Sequence, residues 1–196
     1  YLGFTNGEAG FSRNCAHVMH KVARQFGGMS LSGLVTKGWE KGRFSDPYMR
    51  DTLQDYGIVM DTMECCVNWS NMTQVHADVR EVVKARPNTI CMTHMSHVYP
   101  QGANLYWIFI TRMSDPEEFK AYHASILSAI QKSGASMSHH HGIGKMFAPW
   151  LEGSVGKNEY DVLRTLKNHF DPDNIMNPGG TLGFDLAENE KHYPND

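Results

Sequence analysis

Apolar residues recur every three or four positions early in the chain, at Phe11, Cys15, Val18, Met19, Val22 and Phe26, with Gly27-Gly28 directly after them. That spacing places them on one face of a helix which the glycines end. His17 and His20 fall beside the stripe, where satisfied or solvent-pointing imidazoles are commoner than ligands. Ahead of the helix, Tyr1-Leu2-Gly3-Phe4 reads as the end of a strand and Thr5-Asn6-Gly7 as a turn. Periodicity fails over residues 31–48, where Trp39, Arg43, Phe44 and Pro47 stand among glycines and lysines, and a long ordered loop is expected there. A short helix is expected around Pro47-Tyr48-Met49-Arg50-Asp51.

Residues 57–68 form a mixed apolar run that predicts a strand, with Cys65 and Cys66 on opposite faces. Ser70 is placed to cap a helix carrying Met72, Val75, Val79, Val82 and Val83 and ending before Pro87. Residues 89–99 and 103–111 flank Pro100-Gln101-Gly102 and read as a hairpin. In its second strand Leu105, Trp107 and Phe109 alternate with Tyr106, Ile108 and Ile110, which predicts cover on both faces. Ser114-Asp115-Pro116-Glu117-Glu118 opens a third helix, with Phe119, Tyr122, Ile126, Leu127 and Ile130 inward and Gly134 closing it. A later helix carries Tyr160, Leu163, Leu166 and Phe170 and stops at Asp171-Pro172; Asn177-Pro178-Gly179-Gly180 is a turn and the charged tail frays. Strands and helices in this order predict an α+β fold, a mainly antiparallel sheet covered by helices.

A chain of 196 residues suffices for one domain with a sizeable core. A net charge of -3, with no basic stripe interleaved with aromatics, gives no reason to expect nucleic acid. No apolar run is long enough for a bilayer and the first residues lack a charged-then-apolar signal, so the chain reads as soluble. Cys15, Cys65, Cys66 and Cys91 include no Cys-x-x-Cys pair, and free thiols are expected. Asn68-Trp69-Ser70 and Asn71-Met72-Thr73 match the glycosylation sequon and are read as chance.

Ser136-Met137-Ser138-His139-His140-His141-Gly142-Ile143-Gly144-Lys145 is the strongest chemical signal. Adjacent side chains point in different directions, so three consecutive imidazoles are not explained by packing. They can bind an anion, move a proton or hold a metal, and a solvated loop remains the bland alternative. His94 and His97 on the hairpin could complete a site in space, although no spacing typical of structural zinc is present. Tyr106 becomes chemically interesting only if the histidines lie near it, because a phenol needs cationic or hydrogen-bonding neighbours to act as a base at neutral pH. Arg50 could grip a carboxylate or phosphate, or simply pair with Asp51 at the surface. No dinucleotide fingerprint, Walker motif or Gly-x-Ser-x-Gly is present.

Gly42-Arg43-Phe44-Ser45-Asp46-Pro47-Tyr48-Met49-Arg50-Asp51, Asp55-Tyr56-Gly57, Leu105-Tyr106-Trp107 and Ser138 to Lys145 resemble the C-terminal half of the alkyldihydroxyacetonephosphate synthases. Phe170-Asp171-Pro172-Asp173-Asn174-Ile175-Met176-Asn177-Pro178-Gly179 is similar to the end of the wider FAD-linked oxidase C-terminal family, to which vanillyl-alcohol oxidase is related. Thr93-His94-Met95-Ser96-His97 departs from the synthase pattern, in which an arginine stands nearby.

The resemblance implies that residues 1–196 are a ferredoxin-like cap domain over FAD, with the cofactor held mainly by an upstream domain outside this chain. It implies exchange of the acyl group of acyl-dihydroxyacetone phosphate for a fatty alcohol. In that reaction Tyr106 is the general acid/base, His139, His140 and His141 tune it and hold the headgroup, Arg50 neutralises a substrate carboxylate or phosphate, and Asn177 lies near the flavin. The implied partner is a lipid-like or 2-hydroxyacid small molecule, with room for peripheral membrane contact and a homodimer, in the cytoplasm or, in a eukaryote, the peroxisome. No metal is expected. An FAD-linked 2-hydroxyacid oxidase or dehydrogenase is the alternative enzyme, and a non-catalytic ligand- or metal-binding module the alternative of another class.

Overall fold

The computed structural model describes residues 8–29, 33–180 and 182–187. They divide into two compact units, one ending at Asp51 and one beginning at Thr52. The strand end and turn expected within residues 1–7, the start of the expected loop at Leu31, and the tail beyond Ala187 lie outside the described residues.

In the first unit, α1 (Ala9–Gln25) forms over the predicted apolar stripe. Gly27 then takes a φ of 78°, which its missing Cβ permits, and the N–H of Gly28 closes the end on Ala23 O at 2.8 Å. The stripe is nevertheless not buried: Phe11, Val18, Val22 and Phe26 are exposed, and so are His17 and His20. A helix, α2 (Leu34–Gly42), stands where irregular chain was expected. Its nine residues include Gly38 and Gly42 and too few apolar positions for a helical period to show. The predicted short helix is α3 (Asp46–Gln54), which carries Arg50.

The second unit is built on three antiparallel strands, β1 (Ile58–Asn68), β2 (Ile90–Ser96) and β3 (Gly102–Arg112), in the order β1-β3-β2. Register runs from Ile58 opposite Arg112, through Glu64 opposite Tyr106, to Asn68 opposite Gly102. Between β1 and β2 lies α4 (Met72–Ala85), and α5 (Pro116–Lys132) follows β3. Met63, Cys65, Leu105, Trp107 and Phe109 form the buried face of the sheet, closed by Val75, Val79 and Val83 of α4 and by Ile126, Leu127 and Ile130 of α5. Each large apolar side chain wholly removed from water contributes about 1.5–3 kcal/mol, so this one layer fixes which face the helices cover.

Strand, helix, two strands and a helix make up most of the ferredoxin-like motif, whose last strand would pair on the free edge of β1. Among the described residues that strand is reduced to one antiparallel bridge between Ser136 and Cys66. The N–H of Ser136 donates to Cys66 O at 3.0 Å, and the chain then turns away into the histidine segment.

Four expectations are corrected. The opposite face of β3 is covered by the described residues only at its Asn104 end, since Tyr106, Ile108 and Ile110 are half-buried while Ile90 and Met92 of β2 are exposed. The position capping α4 is Asn71 rather than Ser70, and its side chain makes no cap bond. Its Nδ2 donates instead to Ser133 O at 2.6 Å, joining the start of α4 to the end of α5. A helix unforeseen in the sequence, α6 (Gly144–Val155), follows the histidines despite an internal Pro149. Burial of Phe147, Ala148, Trp150 and Leu151 against the core offsets the hydrogen bond that proline removes. In α7 (Lys157–Phe170) only Tyr160 is buried, and Leu163, Leu166 and Phe170 are exposed. The third helix matches expectation, with Asp115 accepting from the Glu117 N–H at 2.9 Å and Pro116 in the first turn. All four cysteines are free.

Gly102 is where β3 passes closest to β1. A Cβ built there would lie 2.0 Å from Val67 O and 2.9 Å from Asn68 Cα, both backbone atoms that cannot step aside cheaply. Gly102→Ala is therefore expected to lower stability by about 2–3 kcal/mol. Gly38→Ala, with open space around it in α2, is expected to raise it by up to about 1 kcal/mol. Urea midpoints of the two variants check both signs.

Candidate active site

The uncovered face of the sheet is divided along its length. Met60, Ile108 and Ile110 make one end apolar, whereas Glu64, Tyr106, Asn104 and His94 make the other polar, because alternate residues of paired strands share a face. The histidine segment lies over the polar end. Tyr106 stacks on His140 with ring centroids 6.1 Å apart and planes 21° off parallel, and meets His141 edge-on at 5.1 Å. His94, its register partner on β2, approaches edge-on at 6.3 Å. No described residue hydrogen-bonds the Tyr106 hydroxyl, so the phenol faces the open side with imidazoles around it.

Glu64 holds this arrangement together. Its side chain is fully buried, and Oε1 accepts from Ser138 Oγ at 2.7 Å and from the backbone N–H groups of His139, His140 and His141 at 2.8, 3.0 and 3.0 Å. Oε2 accepts from Asn104 Nδ2 at 2.5 Å and again from His139 N at 2.9 Å. Successive N–H groups converging on one oxygen form an anion-binding nest, filled here by a side chain of the same molecule. Burial pushes the Glu64 carboxyl up, but the bonds from His140, His141, Ser138 and His139 outweigh it and hold the group below its ordinary value of 4.5. Ser138 closes the loop by accepting from the Gly142 N–H at 3.1 Å.

The connection between β2 and β3 supplies a second set of groups. Trp69 Nε1 donates to the carbonyls of Tyr99 and Pro100 at 3.1 and 3.0 Å, pinning this turn to the end of β1. Tyr99 OH then lies 2.8 Å from His139 Nε2. The ring of His97 lies 4.7 Å from those of both His139 and His140, and His139 Nδ1 lies 3.1 Å from His140 Nδ1. Potential ligand atoms of His97, His139 and His140, and of Glu64, His140 and His141, fall within 4.8 Å of one another in each set. Three protein ligands at that spacing are enough for an open metal site.

Of the residues singled out in the sequence, the structure gathers Tyr106, His139, His140 and His141, with His94 and His97 beside them. Asn177 stands apart. It has a φ of 51° in the turn after α7 and lines a cavity of about 200 Å³ with Lys167 and Asp171. Lys145, at the end of the histidine segment, comes close to that turn, its Cε 3.2 Å from where a Cβ at Gly179 would lie. Arg50 is exposed on α3, at the end of the first unit. A cavity of about 370 Å³ lined by Ala148, Glu152, Arg164 and Phe184 contains none of the histidines, which occupy an open face instead. Sequence reasoning missed Glu64, Asn104 and Tyr99. Glu64 had a signal, a lone carboxylate inside the apolar strand run Met63-Glu64-Cys65-Cys66-Val67, whereas Tyr99 in a hairpin turn had none.

Because Glu64 is more acidic in the folded chain than in the unfolded one, its contribution is complete above pH 4.5 and disappears as pH falls through the folded value. Glu64→Gln should therefore flatten the loss of stability below pH 4.5 relative to the parent. Urea midpoints from pH 7 to pH 3 read this directly, and parallel curves would contradict it.

The model of the family "FAD linked oxidases, C-terminal domain" matches residues 12–181. Alkyldihydroxyacetonephosphate synthase of Dictyostelium discoideum is 31% identical over 170 residues, covering 82% of this chain and 28% of that protein. The synthase of Trypanosoma brucei brucei is 25% identical over 177 residues, covering 86% and 29%. Glycolate oxidase subunit GlcD of Bacillus subtilis is 33% identical over 88 residues, 43% of this chain and 19% of that protein. A solved structure of alkyldihydroxyacetonephosphate synthase superposes with a TM-score of 0.51 at 27% identity, over 72% of this chain and 24% of that one. The chain thus spans less than a third of the length of these relatives. With the family match running across most of its length and the α+β sheet in common with the solved synthase, the chain belongs to the FAD-linked oxidase C-terminal domain family.

Proposed function

We propose that this chain is the cap domain of an FAD-dependent, alkyldihydroxyacetonephosphate synthase-like enzyme. The reaction exchanges the acyl group of acyl-dihydroxyacetone phosphate for a fatty alcohol. The observation that carries this reading is the setting of Tyr106, a phenol on an open sheet face with His140 stacked on it and His141 edge-on. Similarity to the synthases over four-fifths of the chain supports the choice of reaction.

The same face decides how FAD would fit. Tyr106, His140 and His141 offer polar groups and flat rings, and half-buried Ile108, Ile110 and Met60 continue the surface, a combination suited to one side of a planar ring system. Among the described residues no glycine-rich turn leads from a strand into a helix N-terminus, the usual cradle for a dinucleotide's phosphates. The residues suit the ring end of the cofactor, and on this reading an upstream domain would hold the rest of it. When bound, FAD would supply the reactive centre against which the ester-bearing carbon is held.

Tyr106 would remove the proton from the carbon next to the ketone, where the carbonyl has already made it acidic, and give it back as the product forms. The fatty acid leaves as its carboxylate and the alcohol oxygen takes its place, its hydroxyl proton being released to solvent, with no net oxidation. His140 and His141, set against the phenol, would hold the phosphate headgroup beside it. Tyr99 fixes the ring of His139 for the same purpose. Arg50 would neutralise a carboxylate or phosphate of the substrate. The partial match to a glycolate oxidase subunit favours one second reading, oxidation of a 2-hydroxyacid. Anaerobic mixing separates the two, since a 2-hydroxyacid would bleach the flavin whereas alkyl exchange needs no electron acceptor.

In the full-length enzyme, Tyr106→Phe is expected to lower ether formation by about 100- to 10,000-fold, the usual share of a general acid/base. Undiminished product by mass spectrometry would remove Tyr106 from the mechanism. The 196-residue chain expressed alone with excess FAD is expected to yield no stoichiometric yellow complex, checked by its visible absorption after desalting.

A further inference from the structure

A fully buried carboxylate on a strand is costly unless its charge is used. Glu64 stands directly opposite Tyr106 in the β1–β3 ladder, so its side chain and the phenol rise from the same face in adjacent strands. The segment carrying the histidines begins at the Ser136–Cys66 bridge, where a further strand could have paired along β1 through its backbone. Instead the next N–H groups, those of His139, His140 and His141, turn inward and end on the Glu64 carboxylate. Three consecutive N–H groups converging on one carboxylate fix the path of the backbone across three residues. The direction of each Cα–Cβ bond is fixed with it. Asn104, two residues before Tyr106 on β3, donates to the other carboxylate oxygen, so the strand bearing the phenol and the loop bearing the imidazoles share one anchor.

We propose that Glu64 is a positioning residue, whose carboxylate sets the rings of His140 and His141 against Tyr106 by gathering the backbone N–H groups of residues 139–141. This inference rests on the proposed role of Tyr106. Glutamine at position 64 keeps the shape but offers one accepting oxygen and turns two donors toward a nest of donors, so the loop must leave its place.

The test uses the full-length enzyme and two variants, Glu64→Gln and Ser138→Ala. Glu64→Gln is expected to lower kcat by about 10- to 100-fold, as for loss of geometry at the reacting group, and to raise KM as well, because the displaced histidines also hold the headgroup. Combined with Tyr106→Phe, it should add less than threefold to the loss caused by Tyr106→Phe alone, because both act through the same phenol. A residue that only supports the fold would lower Tm and multiply with Tyr106→Phe, and that result overturns the proposal. Ser138→Ala removes one bond to the carboxylate and should lower kcat by about 3- to 10-fold in the same non-additive way, which carries the test if Glu64→Gln does not fold. The rate at which diethyl pyrocarbonate modifies residues 139–141, read by mass spectrometry without substrate, should rise at least threefold in Glu64→Gln. That reading does not depend on the reaction proposed above, so a change there without synthase activity in the parent would count against the function and leave the anchor standing. An unchanged modification pattern overturns the anchor itself.

Discussion

Hydrogen bonding to the buried Glu64 carboxylate is the constraint on which the site depends. The group has no exposed surface and is surrounded by donors from two separate stretches: Asn104 on β3, and Ser138 with the backbone of residues 139–141. Without them, a buried charge of this kind would cost several kcal/mol or take up a proton. With them it remains an anion, and the histidine segment has one conformation to adopt. Three imidazoles have little apolar surface to bury, so between Met137 and Ile143, which pack on the core, this polar anchor orders them.

Strand β3 joins the anchor to the rest of the fold. Its Trp107 and Phe109 lie wholly in the core with Met63 of β1 and the valines of α4, and the alternation of the strand then obliges Tyr106 and Ile108 to point the other way. The rigidity of the packed face is thereby lent to the open one. Tyr106 cannot shift without moving residues that are themselves fully enclosed, which is the kind of support a reacting group needs. Apolar area is left uncovered at Ile90 and Met92, and on α1 at Phe11, Val22 and Phe26.

The elements whose patterns were long and regular were legible from the sequence. α1, α4 and α5 show a helical period over several turns, and the hairpin shows β-branched and aromatic runs on either side of Pro100-Gln101-Gly102. The chemistry at Tyr106 and the histidines was also legible, as residue types that packing alone does not explain. Short or compromised elements were not. α2 is brief and carries two glycines, and α6 contains Pro149, so local preference argued against helices that burial of Trp150 and Leu151 secures in α6.

The sequence by itself determined which residues favour helix or strand, which face of each is apolar, and that a polar site lies near His139–His141. Those properties are carried by neighbours in the chain, through backbone preference and periodic spacing. Only the tertiary structure decided which face of the sheet stays open, that Glu64 captures the histidine backbone, and that Tyr99 and His97 join it. Each of these depends on strands brought together from distant parts of the chain. Glu64 and His139 are separated by 75 residues and meet because the chain, after the Ser136–Cys66 bridge, turns across the face that carries Glu64.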